Sequence, residues 1–306
     1  MKRPIVRAIS LMLAISFVFD VQIAFAAMTS TNYQIQWDEM SSGGGASSSS
    51  SYTVRDSTAG TSADGRSTST TYKIDQGFRA GIYDPVVDFT PYVQDRSTQV
   101  AATAFSSNIV TVTTAAGFST GDWIVIVQNE GASQVTAMGQ ISGISGANIT
   151  IRSSYSGTTP TIDGSNDVVY RMSQVATNAL GTLATSAVTT QTIGWVATAD
   201  VSQGFGVYAF VDGALRVGSD TLAAVVDGAV TAGDSEYGAR SSDATLATST
   251  FDTQDTAFST TPALVGSTSA SSFSNSGFLT LKASISSSQT GGSYAQTLTT
   301  IFVGDY

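Results

Sequence analysis

The sequence predicts an all-β protein: tandem β-sandwich or small-barrel units behind a Gly/Ser-rich N-terminal strand segment. Three observations lead there. Serine and threonine make up 87 of the 306 residues. Glutamate occurs only as Glu39, Glu130 and Glu236, and lysine only as Lys2, Lys73 and Lys282. Helices draw on Glu, Lys and Leu because these lose little rotamer freedom there, so a mostly helical fold is disfavoured. Short β-branched runs also recur between Gly, Ser and Asp turn residues at a spacing of about ten.

Residues 1–26 have the form of a secretory signal. Lys2, Arg3 and Arg7 precede an apolar run from Ala8 to Phe19, and Ala24-Phe25-Ala26 offers a small-x-small cleavage site before Ala27. The run is too short to span a bilayer comfortably, and no second run of about 18 apolar residues follows. The mature chain is therefore expected to carry no transmembrane helix and to be secreted to the cell surface. Removing three basic residues and one acidic one takes the net charge from −10 to −12. An acidic surface disfavours nucleic acid.

Residues 27–84 hold a tyrosine repeat. Tyr33-Gln34-Ile35, Tyr52-Thr53-Val54 and Tyr72-Lys73-Ile74 each place an aromatic and a β-branched residue two apart, on one face of a strand. The stretches Ser41 to Ser51 and Ala59 to Ser69 read as Gly/Ser turns between these strands, with Gly43-Gly44-Gly45 a flexible tether. Asp84 to Ser97, with Pro85 and Pro91, is the boundary candidate.

Residues 98–173 predict a small barrel or sandwich of five short strands, centred on Asn108 to Thr114, Trp123 to Gln128, Gln134 to Ile144, Asn148 to Arg152 and Asp167 to Met172. The unbroken apolar run Trp123 to Gln128 points to burial on both faces. Ala176 to Thr190 reads as an Ala/Thr linker. Residues 191–306 predict an Ig-like sandwich. Its strands are Gly194 to Ala199, Gly206 to Val211, Ala223 to Val226, Glu236 to Arg240, Phe278 to Ile285 and Ser293 to Val303, with turns at Asp212-Gly213 and Asp227-Gly228.

Histidine and cysteine are absent. This excludes Ser-His-Asp and Cys-His machinery, His- or Cys-ligated metals, and disulfides. No carboxylate pair is marked out for acid–base work, because nearly every Asp adjoins a turn residue, so the chain is expected not to be an enzyme. Asp212, Asp220, Asp227, Asp234 and Glu236 are hard oxygen donors in one region. They form a candidate set for one structural calcium ion, without any EF-hand or nonapeptide spacing; turn chemistry explains the same residues without metal. Trp123 fits a buried strand. Trp37 and Trp195 fit strands too, with a sugar-stacking platform as the alternative.

At the C-terminus, Leu279, Leu281, Ala283 and Ile285 alternate, a Gln-x-Gly-Gly-x-Tyr turn follows, and a threonine-rich strand closes the chain. With Gly292, Tyr294, Leu298 and Thr299 in place, this resembles the terminal hairpin of secreted Ig-like and pilin-like surface sandwiches. The tyrosine repeats, with the Asp212-Gly213, Asp227-Gly228 and Glu236-Tyr237-Gly238 segments, look like uncharacterised secreted surface proteins of environmental bacteria. The resemblance implies an architecture and no activity.

These readings converge on a non-enzymatic cell-surface structural protein, a subunit of an extracellular fibre, pilus-like appendage or surface layer. It would self-associate by β-strand addition, with Tyr33, Ile35 and Trp37 of the N-terminal arm filling alternate pockets on a neighbour's open edge. An adhesin or glycan-binding module, contacting other surface proteins or glycans, is the second class. An outer-membrane β-barrel is the third, suggested by the shared parity of Tyr294, Leu298, Phe302 and Tyr306.

Overall fold

The computed structural model describes residues 43–48, 53–58, 65–68, 73–76, 87–174 and 178–305. Among them there is no helix, and about 52% are strand, so the fold is all-β. None of these residues belongs to a helix long and apolar enough to cross a membrane. The chain divides into two compact units, residues 1–84 and 85–306.

In the first unit, β1 (Gly43–Ser48) pairs antiparallel with β2 (Thr53–Thr58), and β3 (Gly65–Thr68) with β4 (Lys73–Gln76). Val54 and Ile74 fall within strands as the tyrosine repeat predicts. The Gly43-Gly44-Gly45 stretch does not act as a tether: it runs in register against Asp56 to Thr58. Gly65–Thr68, read as turn, is likewise a strand. Ladder bonds come from the backbone, so a Gly/Ser run pairs when a β-branched partner supplies the strand preference. The signal segment, its cleavage site and the arm residues Tyr33, Ile35 and Trp37 lie outside the described residues.

The second unit begins with β5 (Val87–Ser106), a strand of 20 residues. The Pro-containing stretch that reads as a boundary is the first half of this strand. It tolerates Pro91 at an exposed position in the ladder beside Trp195. The second half of β5 enters a closed ring. From β5 the order runs through β6 (Ile109–Val112), β9 (Asn148–Ile151), β8 (Val135–Ser145), β7 (Trp123–Gln128) and β11 (Val168–Ser173), and β11 pairs back onto β5. A short β10 (Ser156–Gly157) adds to β8. Ala102, Val110, Val112, Phe118, Ile124, Ile126, Ile141, Ile149, Ile151 and Val169 fill the ring. This apolar filling is the reverse of the polar lumen of an outer-membrane barrel.

The first half of β5 instead pairs with β12 (Thr189–Ala199), which pairs with β19 (Ser272–Ser284), then β17 (Glu236–Ser241) and, in parallel, β16 (Ala223–Ala224). This central sheet is covered on both faces. One face meets an outer sheet ordered β18 (Ala263–Thr268), β13 (Phe205–Val211), β20 (Leu298–Gly304). Between them lie Trp195, Ala197, Phe205, Val207, Tyr237, Val265 and Leu279. On the other face Phe278 packs with Trp123, Val125, Val127 and Met138 of the ring wall. The run Trp123–Gln128 is thus buried on both faces, Ile124 and Ile126 inside the ring and its neighbours outside it. The remaining strands, β14 (Arg216–Val217) and β15 (Asp220–Thr221), form a small hairpin.

The fork where β5 leaves β12 strands backbone groups of both, and side chains take them up. Gln191 Nε2 donates to the Gln94 backbone carbonyl at 2.7 Å, and the Thr192 backbone amide donates to Gln94 Oε1 at 2.9 Å. Arg96 donates to Gln191 Oε1 at 2.8 Å and to the Thr190 carbonyl. Carboxamides here continue the ladder that the diverging strand gives up, as buried polar backbone requires.

The terminal pair of strands is not a hairpin. β19 lies in the central sheet between β12 and β17, while β20 lies in the outer sheet against β13. The stretch between them crosses from one sheet to the other. Residues 293–297 stay outside the strand: Tyr294 is tied to Gln289 and to the Thr290 carbonyl by its hydroxyl at 2.6 and 2.8 Å.

Candidate functional site

The outer sheet has two edges, β18 and β20, and they differ. β18 carries a bulge opposite Val207/Tyr208, and side chains bond its backbone. Asp243 Oδ2 accepts from the Ser267 amide at 2.9 Å. Ser249 and Ser241 hydroxyls donate to the Leu264 and Val265 carbonyls, both at 2.6 Å. The loop after β17 thereby closes that edge. A bulge and side-chain caps are among the ways proteins protect sheet edges.

β20 has neither. It pairs with β13 without a register break from Gly304 opposite Phe205 to Leu298 opposite Val211. Among the described residues no side chain bonds the backbone of Leu298 to Gly304. The strand holds no Lys and no Pro, the residues that usually blunt an edge. Its ends are pinned. The Thr297 amide donates to Asp212 Oδ1 at 2.9 Å, and the Asp305 amide donates to the Gly204 carbonyl at 2.8 Å.

Alternation sorts its side chains. Leu298 and Phe302 face inward, and the Phe302 ring stands 4.9 Å from Phe205 and 5.4 Å from Phe89 of β5. Ile301 and Val303 face outward, 40% and 41% exposed, with Tyr208 opposite Ile301. The parity that suggests a lipid face in the sequence is therefore the core side of a sandwich. The result is a seven-residue edge whose outer face carries Thr299, Ile301 and Val303.

The acidic set has separate duties. Asp212 pairs with Arg216 at 3.1 Å, and its carboxyl is held below the usual range by the Thr297 amide and by Arg216. Asp220 is exposed in β15. Asp227 accepts from the Ala229 amide at 3.2 Å, as an Asp before Gly does in a turn. Glu236 accepts from the Thr231 amide at 2.7 Å. Its carboxyl is pushed up by burial, against the Thr231 bond, and by the charges of Asp227, Asp234 and Asp255. Among the described residues, no group of three or more acidic side chains is placed to hold a metal ion. Asp255 enters this corner from the polar stretch 244–275, where the sequence carried no pattern to flag it.

Trp195 is 2% exposed and Trp123 is 9% exposed, so neither offers a stacking face to solvent. Trp195 lies between Gly266 and Gly277, where a Cβ on either glycine would come within 2.6 Å of the indole. It also borders a cleft of about 240 Å³ lined by Ser156, Ser242, Asp243, Asn275 and Ser276. Trp37 lies outside the described residues.

No protein-family model, curated protein or solved structure matches the chain.

Proposed function

We propose that this chain is a secreted, non-enzymatic structural subunit of an extracellular fibre or surface layer, assembled by β-strand addition. One observation supports the reading above the others: β20 is an uncapped edge, in unbroken register with β13 and with Ile301 and Val303 exposed, on a sheet whose opposite edge is capped. Edge strands left in that state template pairing with another chain. The occupant we assign is residues 27–40 of a second copy. Tyr33, Ile35 and Trp37 share one parity, so a strand containing them lays one apolar row beside Ile301 and Val303.

Size-exclusion chromatography and negative-stain imaging of the mature chain test this. Regular oligomers or fibres are expected, and deletion of residues 27–40 should leave a folded monomer. An unchanged oligomer after that deletion refutes strand donation by the arm. A monomer retained on a glycan column would replace this reading with the adhesin class.

A further inference from the structure

The central sheet carries a buried ion pair that the assembly reading does not use. Lys282, two residues from the end of β19, and Asp255, on the loop between β17 and β18, have side chains only 8% and 6% exposed. Lys282 Nζ lies 2.9 Å from Oδ1 and 3.1 Å from Oδ2 of Asp255. The nitrogen thus touches both carboxylate oxygens and donates to Oδ2. Oδ2 also accepts from the Val230 amide at 3.0 Å, whereas Oδ1 has no aligned hydrogen-bond partner among the described residues. Nζ donates as well to the Ala132 carbonyl at 2.8 Å, from the β7–β8 loop of the ring, which fixes its direction.

A third acid shares the corner. Gly238 stands opposite Lys282 across the β17–β19 ladder, and Glu236 is two residues along on the same face. Successive amides, Val230 and Thr231, donate to Asp255 and to Glu236. The space over Gly238 is filled by Val225, whose Cγ1 would stand 2.5 Å from a Cβ placed there.

We propose that Lys282 and Asp255 condense into an intramolecular amide cross-link in the mature protein. The ammonium gives up a proton, and the freed Nζ lone pair attacks Cγ of Asp255. The Nζ–Cγ bond forms and the Cγ–Oδ1 bond breaks. Oδ1 leaves as water, carrying the two protons that the ammonium releases. Oδ2 remains as the amide oxygen, and the Val230 N–H bonded to it stabilises the charge that builds there during attack. The nitrogen and the leaving oxygen stand 2.9 Å apart, so the proton passes directly between them. No oxidant or co-reactant is needed. The site favours this product for two physical reasons. The reacting groups are held in contact, which removes the entropic cost of meeting. Two buried charges are replaced by one neutral group, which removes their desolvation penalty. In a chain with no cysteine, such a bond is a covalent staple that reducing agents leave intact.

The test is the intact mass of the secreted wild-type protein, followed by trypsin digestion after denaturation. A mass one water below that of the sequence is expected. Trypsin should fail to cut after Lys282, leaving residues 241–306 as one fragment that is also one water light, since Lys282 is the only Lys or Arg in that stretch. Lys282→Arg and Asp255→Ala should each restore the full sequence mass. Full sequence mass together with complete cleavage after Lys282 in wild-type protein would overturn the proposal and leave an ordinary buried ion pair.

Discussion

The ring and the outer sheet use the same kinds of residue and solve opposite problems. In the ring, β11 pairs back onto β5, so each strand has two neighbours and no edge remains. The outer sheet stops after three strands and leaves β18 and β20 as edges, one capped by Asp243, Ser241 and Ser249, the other bare. Closure removes edge-to-edge pairing altogether, while capping removes it only where side chains reach. The difference teaches where one chain can meet another: the ring has nothing to offer a strand, and the outer sheet has one side.

The largest expected effect tests whether ring and sandwich are separate at all. Trp195→Ala empties the centre of the sandwich and should cost about 3–5 kcal/mol. Because β5 belongs to both ring and central sheet, the ring should melt with it. With Trp37 also replaced by Phe, Trp123 fluorescence, which reports the ring wall, should then coincide with the far-UV circular dichroism transition. Two separated transitions would show that the long strand does not couple the two parts.

Next comes the node that holds the ring closed. Burial pushes the Asp167 carboxyl up, but amides of Asn129, Asp163 and Gly164 donate to it at 2.9, 2.8 and 2.9 Å, and the net direction is down. A depressed folded-state pKa contributes stability that is fully present above the unfolded value, near 3.9, and is lost as pH falls through the folded value. Asp167→Asn should therefore cost about 2–3 kcal/mol at neutral pH, and the gap to wild type should narrow below about pH 4. A gap that stays constant down to acid would mean that this carboxylate is not the group that matters.

Smaller effects address the two edges. Asp243→Ala frees the Ser267 amide of β18 and should cost about 1 kcal/mol. It also opens the second edge, so light scattering should show added association. Ile301→Lys sits on an exposed position and should change stability by no more than about 0.5 kcal/mol. It places a charge on the bare edge, so the oligomer expected in size exclusion should dissociate. An oligomer indifferent to Ile301→Lys would move the contact surface away from β20.

Much of the strand content is legible locally. Trp123 to Gln128 reads as a strand buried on two faces because five successive apolar residues, Trp123 to Val127, leave no solvent side. The strands from Asn108, Asn148, Asp167 and Glu236 lie where β-branched or aromatic alternation meets a turn residue. The Pro-containing start of β5 was hidden, since an exposed edge position accepts proline and the local signal is that of a boundary. The Gly/Ser strand β1 was hidden for the converse reason, as its pairing rests on its partner. The candidate site was half legible. The final strand stands out in the sequence, but its reading as a hairpin partner of Leu279 to Ile285 placed it in the wrong sheet.

Composition and periodicity by themselves determine that this protein is built of strands, because both depend on residues within a few positions of each other: rotamer preference, β-branching and turn chemistry. Which strands meet is decided elsewhere. The closure of β11 onto β5, the passage of β19 and β20 into different sheets, the caps on β18 and the contact of Lys282 with Asp255 all join residues far apart in the chain. Such pairings follow from the burial of whole faces and the satisfaction of every buried donor and acceptor. Those are sums over the folded molecule, and no short stretch of sequence contains them.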